Sequence, residues 1–162
     1  HLAERPNETT VALEVRAERP VPFTLALRVP WWLAGRARAS LDSHPVEIAA
    51  SPSSWAKVAH TWSTNTLQVT FPKRLTTEPL PDRPEAVAFM DGPVALAGLC
   101  DSEVTLHCAD DDPTAILHPH NTREWAEWRP DYCTVGQERN IVFRPLHEIV
   151  DETYTTYFPI VP

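Results

Sequence analysis

The sequence predicts an all-β chain, an antiparallel β-sandwich of roughly nine to eleven strands. Three observations lead there. Apolar and polar residues alternate at period two in segment after segment. Seventeen prolines against four glycines punctuate those segments; proline lacks a donor and belongs at strand ends and sheet edges. No stretch sustains the 3.6-residue period of an amphipathic helix.

Taken in order, "TVALEVRA" sets Val11, Leu13 and Val15 on one face, and "PFTLALRVP" does the same with Phe23, Leu25, Leu27 and Val29. Pro30 should stop that ladder just before the adjacent indoles of Trp31 and Trp32. "RARASLD" (36–42) and "PVEIA" (45–49) read as two strands joined by turn formers from Asp42 to Pro45. "WAKVAHTW" and "NTLQVTFP" read as a hairpin turning at Ser63–Thr64, with Leu67, Val69 and Phe71 buried. The proline-rich 73–85 suits no regular element. "AVAFMDGPVALAGL" (86–99) is apolar on both faces, as a central strand is, and its Asp-Gly-Pro step suggests a bend or bulge. "EVTLHC" (103–108) is a candidate antiparallel partner. Residues 109–140 are the least regular, with one helical turn expected at "TREWAEW". "NIVFRPLHEIV" and "TYTTYFPIV" close the chain, with Tyr154 and Phe158 on one face of the last strand and Tyr157 on the other. A division near 98–102 would give segments 1–99 and 100–162, either completing one sandwich or forming two packed β-subdomains.

Composition narrows the function. A chain of 162 residues is long enough to bury a core without disulfides. A net charge of −8 opposes nucleic acid, which needs clustered lysine and arginine. No apolar run approaches the ~20 residues of a membrane span, and "HLAERPNETT" has no signal-peptide pattern. Cys100, Cys108 and Cys133 are odd in number and lack CxxC spacing, which fits free thiols and slightly favours the cytoplasm over secretion.

Three segments carry a resemblance. Arg28-Val29-Pro30-Trp31-Trp32, Val87 to Gly98 and Pro145 to Phe158 resemble, in order, an RIPxWA-type strand end, a VAxxxGPLVLAG-type strand and a PFYEIHDxRYxVYW-type closing strand. These belong to the non-catalytic C-terminal β region of the beta-L-arabinofuranosidases, glycoside hydrolase family 127. The resemblance spans roughly residues 8 to 160. It departs where Asp42-Ser43 replaces an Asn-Gly turn and Thr64-Asn65 a Gly-Asp turn, so altered turn types are expected. It implies that the chemistry sits in an (α/α)6 barrel upstream, with a cysteine nucleophile beside zinc. None of those motifs occurs here, so the resemblance implies no catalytic residue, no cofactor in this chain, and the barrel of the same polypeptide as partner. A homodimer contact is a further option. Trp32 takes the motif's own tryptophan position and is expected to pack at a strand end or against the barrel, with Tyr154 and Phe158 as further candidates for packing between domains.

The alternative is a carbohydrate-binding module. Indole faces suit sugar C–H surfaces, so Trp31, Trp125 and Trp128 are its candidate ligand-binding residues, although tryptophans also anchor packing. "HCADDD" (His107 to Asp112) and the pair His118 and His120 lack the spaced ligand set of a metal site, and none is expected. A self-contained glycosidase would need two of Glu124, Glu127, Glu148, Asp151 and Glu152 facing each other across a cleft, one with a raised pKa. Surface charge is the simpler reading of those five.

Overall fold

The computed structural model describes residues 7–124 and 127–162, with the side chains of 124, 127 and 128 outside the description. The all-β antiparallel class holds, as two sheets with thirteen strands among the described residues, above the nine to eleven expected. The chain forms two compact units, joined at Arg74–Leu75. The expected division at 98–102 falls inside the second unit, because Leu99 is the last residue of a strand paired on both edges there.

The first unit holds β1 (Glu8–Arg28), β2 (Arg38–Leu41), β3 (His44–Val46) and β4 (Trp55–Pro72), ordered β1-β4-β2-β3 and antiparallel throughout. No hairpin forms at Ser63–Thr64. β4 continues through the point where the turn was expected, and β1 pairs with it from Glu8↔Pro72 to Arg28↔Trp55. Between Arg16↔Thr64 and Val21↔Trp62, Ala17–Pro20 of β1 face the lone Ser63 of β4. The surplus is odd, so it reverses which β4 residues lie on β1's inward side. Even positions Ala56, Val58 and Trp62 are therefore buried in one half of β4, and odd positions Leu67, Val69 and Phe71 in the other. Pro20 fits the bulge because it has no N–H to leave unpaired. The two halves share one core with Val29, Leu33 and Ala37.

Asp42 and Ser43 join β2 to β3 with φ of 49° and 68°, the pair of positive values that defines a type I′ hairpin turn. The altered turn type expected there does not occur. Asp42 tolerates the left-handed region because its carboxylate accepts from Thr66 N at 2.8 Å and Asn65 Nδ2 at 2.7 Å. The same contacts, the Thr66 amide first, lower its pKa.

The second unit holds β5 (Leu75–Leu80), β6 (Arg83–Asp91), β7 (Val94–Leu99), β8 (Leu106–His107), β9 (Leu117–Glu124), β10 (Glu127–Thr134), β11 (Val142–Pro145), β12 (Tyr154–Thr155) and β13 (Tyr157–Val161). Its path is β8-β13-β6-β7-β11-β10-β9, with β5 paired to β6 and β12 to β7. Four local expectations change. The proline-rich stretch is an edge strand, β5, which turns back into β6 at Leu80↔Arg83; an edge tolerates the donor lost at Pro79. Asp91-Gly92-Pro93-Val94 is a tight hairpin between β6 and β7, not a bend within one strand. Gly92 has φ 60°, and proline holds the next φ negative, a type II′ arrangement. "EVTLHC" yields only β8, which pairs parallel with β13. The "TREWAEW" segment spans the ends of β9 and β10, where Arg123 lies opposite Trp128, so cross-strand pairing replaces the helical turn.

The second core is built on Phe89, Leu96, Leu106, Ile141, Phe143 and Phe158, all fully buried. Phe143 stands 5.2 Å from Phe89 and 5.0 Å from Phe158, centroid to centroid. Gly98 leaves the space for this triad: a Cβ there would lie 2.3 Å from Phe158 Cζ.

Candidate functional site

The Trp31–Trp32 pair sits where β1 ends. Val29 extends the β1–β4 ladder with a bond from its N to Ser54 O at 2.9 Å, and the chain turns as Leu33 N reaches Pro30 O at 3.4 Å. That turn parts the indoles. Trp31 is 54% exposed, whereas Trp32 is half-buried, edge-on to Phe71 at 6.3 Å. Trp32 thus packs on its own unit's core.

A third tryptophan belongs with the exposed set. Trp55 is 56% exposed, and the Arg28 guanidinium lies 5.6 Å from its ring centre. Sequence reasoning missed it, although alternation carried the signal: Ala56 and Val58 point inward, so Trp55 points out. Trp62 is core, its indole N–H donating to Phe23 O at 2.9 Å and its ring stacked by Phe23 at 5.4 Å.

The remaining candidates do not converge. Trp125 and the side chain of Trp128 lie outside the described residues, as do the side chains of Glu124 and Glu127. Tyr154 is 44% exposed beside Leu99. Phe158 is fully buried between Phe143 and Gly98, so it serves its own unit's core and presents no surface to another domain.

The polar centre of the second unit was not legible in advance. Arg144 and Asp131 are both buried and paired through two bonds, Nε to Oδ1 at 3.2 Å and Nη2 to Oδ2 at 3.0 Å. Thr122 donates to Asp131 Oδ2, and Arg144 Nη1 donates to Glu152. The second Glu152 oxygen accepts from the amides of Val150 and Asp151. The Val150 amide first, then Glu152's own amide, that of Asp151 and the Arg144 charge, pull the carboxyl down to about 2. A glycosidic general acid needs the opposite shift, so Glu152 is built to stay charged and to hold Arg144.

The thiols do not fit zinc. Cys100 donates to Gly98 O and Cys108 to the carbonyls of Asp110 and Asp112. Burial pushes the Cys133 thiol up, away from the thiolate a metal requires. Asp112 is occupied as the cap of the 3-10 turn at Pro113–Ile116, accepting from Thr114 N. Among the described residues no group of three His, Cys, Asp or Glu side chains is placed to hold a metal ion.

Residues 2–73 match the family model described as beta-L-arabinofuranosidase, GH127 middle domain. That differs from the C-terminal placement expected from the motifs, and the family match ends near the junction of the two units. No curated protein matches the chain. Among solved structures, a glycoside hydrolase superposes with a TM-score of 0.65 at 14% identity, over 97% of this chain and 31% of its own. A GH127 beta-L-arabinofuranosidase from Geobacillus stearothermophilus T6 gives 0.64 at 18% identity, over 96% and 29%. A third, a GH127 beta-arabinofuranosidase, gives 0.61 at 14%, over 96% and 30%. The chain therefore spans about a third of the length of these enzymes. The resemblance read from the motifs holds: residues 2–73 match the GH127 middle domain, and both units together share the fold of a β region of such glycoside hydrolases.

Proposed function

We propose that the chain is an accessory β region of a beta-L-arabinofuranosidase-like glycoside hydrolase, carries no catalytic residue itself, and supports an (α/α)6 catalytic barrel of the same polypeptide. The observation that carries this reading is the middle-domain match over 2–73 within a fold that occupies only about a third of each similar enzyme. The charged, arginine-bound state of Glu152 supports it, because that carboxyl is unsuited to proton donation. Zinc, in this reading, belongs to the barrel, and a homodimer contact is a secondary role for the same surfaces. The test is release of nitrophenol from an aryl beta-L-arabinofuranoside by the highly purified chain. None is expected, and turnover that survives repurification would overturn the reading.

A second reading, carbohydrate binding by Trp31, is favoured by that indole's exposure beside the packed Trp32; Trp125 and Trp128 are its other candidates. It predicts that an arabinose-containing oligosaccharide quenches tryptophan emission in the chain and that Trp31→Ala removes the change. An unaltered response in Trp31→Ala would dismiss Trp31.

A further inference from the structure

We propose that a cleft of the second unit, between Cys100–Val104 and Thr153–Tyr157, is a binding site for a neutral sugar. The cleft holds about 360 Å³ and is open on one side, a volume at the small-ligand end of the usual range. Its lining includes Cys100, which is buried, and Val104, which packs on the second core. Tyr154 and Tyr157, 44% and 42% exposed, line it together with Glu103 and Thr153.

The cleft holds polar groups with hydrogen-bonding capacity to spare. Among the described residues, the two phenol hydroxyls, the Thr153 hydroxyl and the Glu103 carboxylate make no hydrogen bond or ion pair. Asp101 is partly engaged, by Arg139 at 3.5 Å and Ser102 at 3.4 Å. A ligand that meets this set must donate to carboxylates, exchange hydrogen bonds with hydroxyls, and offer an apolar face to tyrosine rings. Adjacent ring hydroxyls flanked by C–H surface satisfy all three. The two carboxylates disfavour acidic sugars and phosphates. A macromolecular docking surface is the poorer match, since interface cores are depleted of charged residues. The choice of a sugar among polyhydroxylated ligands rests on the glycosidase setting proposed above; the cleft's chemistry does not.

The test is a titration of the isotope-labelled full chain with L-arabinose, followed by amide shifts, with galacturonate as the charged comparison. Saturable shifts confined to 101–104 and 153–157 are expected, with Kd on the order of 1 mM, as befits few contacts in an open site. Tyr154→Ala and Glu103→Gln should each weaken binding about tenfold with an unchanged folded spectrum, and galacturonate should leave these residues unmoved. Absence of shifts at about 10 mM arabinose, or equal shifts with galacturonate, would overturn the proposal. So would shifts of the same residues on concentrating the chain without sugar, which would mark a self-association face. Nitrophenol release reports separately on the accessory reading, so the two fail independently.

Discussion

Gly98→Ala is the most demanding test of the second core. Gly98 is paired on both edges of β7, to Phe143 of β11 and Thr155 of β12, so its backbone cannot retreat. An added Cβ would stand 2.3 Å and 2.8 Å from two ring carbons of Phe158 and 3.1 Å from Phe143 Cζ. Carbon contacts settle at roughly 3.5–4 Å, so the Phe158 ring must move by about 1 Å. It has nowhere to go, since Phe158 and Phe143 are fully buried and tilted together at 5.0 Å. Overpacking costs about 1–3 kcal/mol, and this geometry belongs at the upper end, about 3 kcal/mol. If the second unit, the 88 residues from Leu75 to Pro162, unfolds by itself, each kcal/mol lowers its Tm by about 4–8 °C. Urea unfolding followed by circular dichroism should show a lower midpoint at unchanged slope. In Gly98→Ala/Phe158→Leu the ring is gone, so the double variant should be less destabilised than the sum of its parts by at least about 1 kcal/mol. A Gly98→Ala loss under about 0.5 kcal/mol, or strict additivity in the double variant, would refute the packing argument.

Three further outcomes follow from the described contacts. Arg144→Met removes the guanidinium that pairs buried Asp131 and should cost about 3–5 kcal/mol in the same unfolding experiment, with Arg144→Lys recovering only part because it cannot reproduce the paired bonds. Glu152 is depressed in the folded state, so its contribution is complete above its ordinary value near 4.5 and is lost as pH falls towards about 2. Unfolding midpoints between pH 5 and 2 should therefore drop less steeply in Glu152→Gln than in the parent, and parallel curves would exclude the linkage. Ser43→Gly relieves a left-handed residue at φ 68° in the I′ turn and should raise stability by about 1 kcal/mol, read as a higher thermal midpoint.

Strand chemistry was local and therefore legible. Alternation marked Leu67, Val69 and Phe71 as buried, and the structure buries all three. Motif order brought out the GH127 likeness before any coordinates. Site chemistry was less accessible, because exposure depends on what lies across the sheet. Two adjacent indoles share one dipeptide, yet one is exposed and the other packs on Phe71.

By itself, the sequence determined period-two strands, their proline-bounded ends and the absence of long helices, since propensity and steric rules act over a few residues. Only tertiary structure decided that β1 and β4 are continuous, because a bulge of odd length depends on a partner, Ser63, far away in the chain. It alone brought buried Asp131 and Arg144 together with half-buried Glu152 in one network and gathered two tyrosines around an open cleft. Pairing register and burial are properties of several segments at once, and no single stretch of chain encodes them.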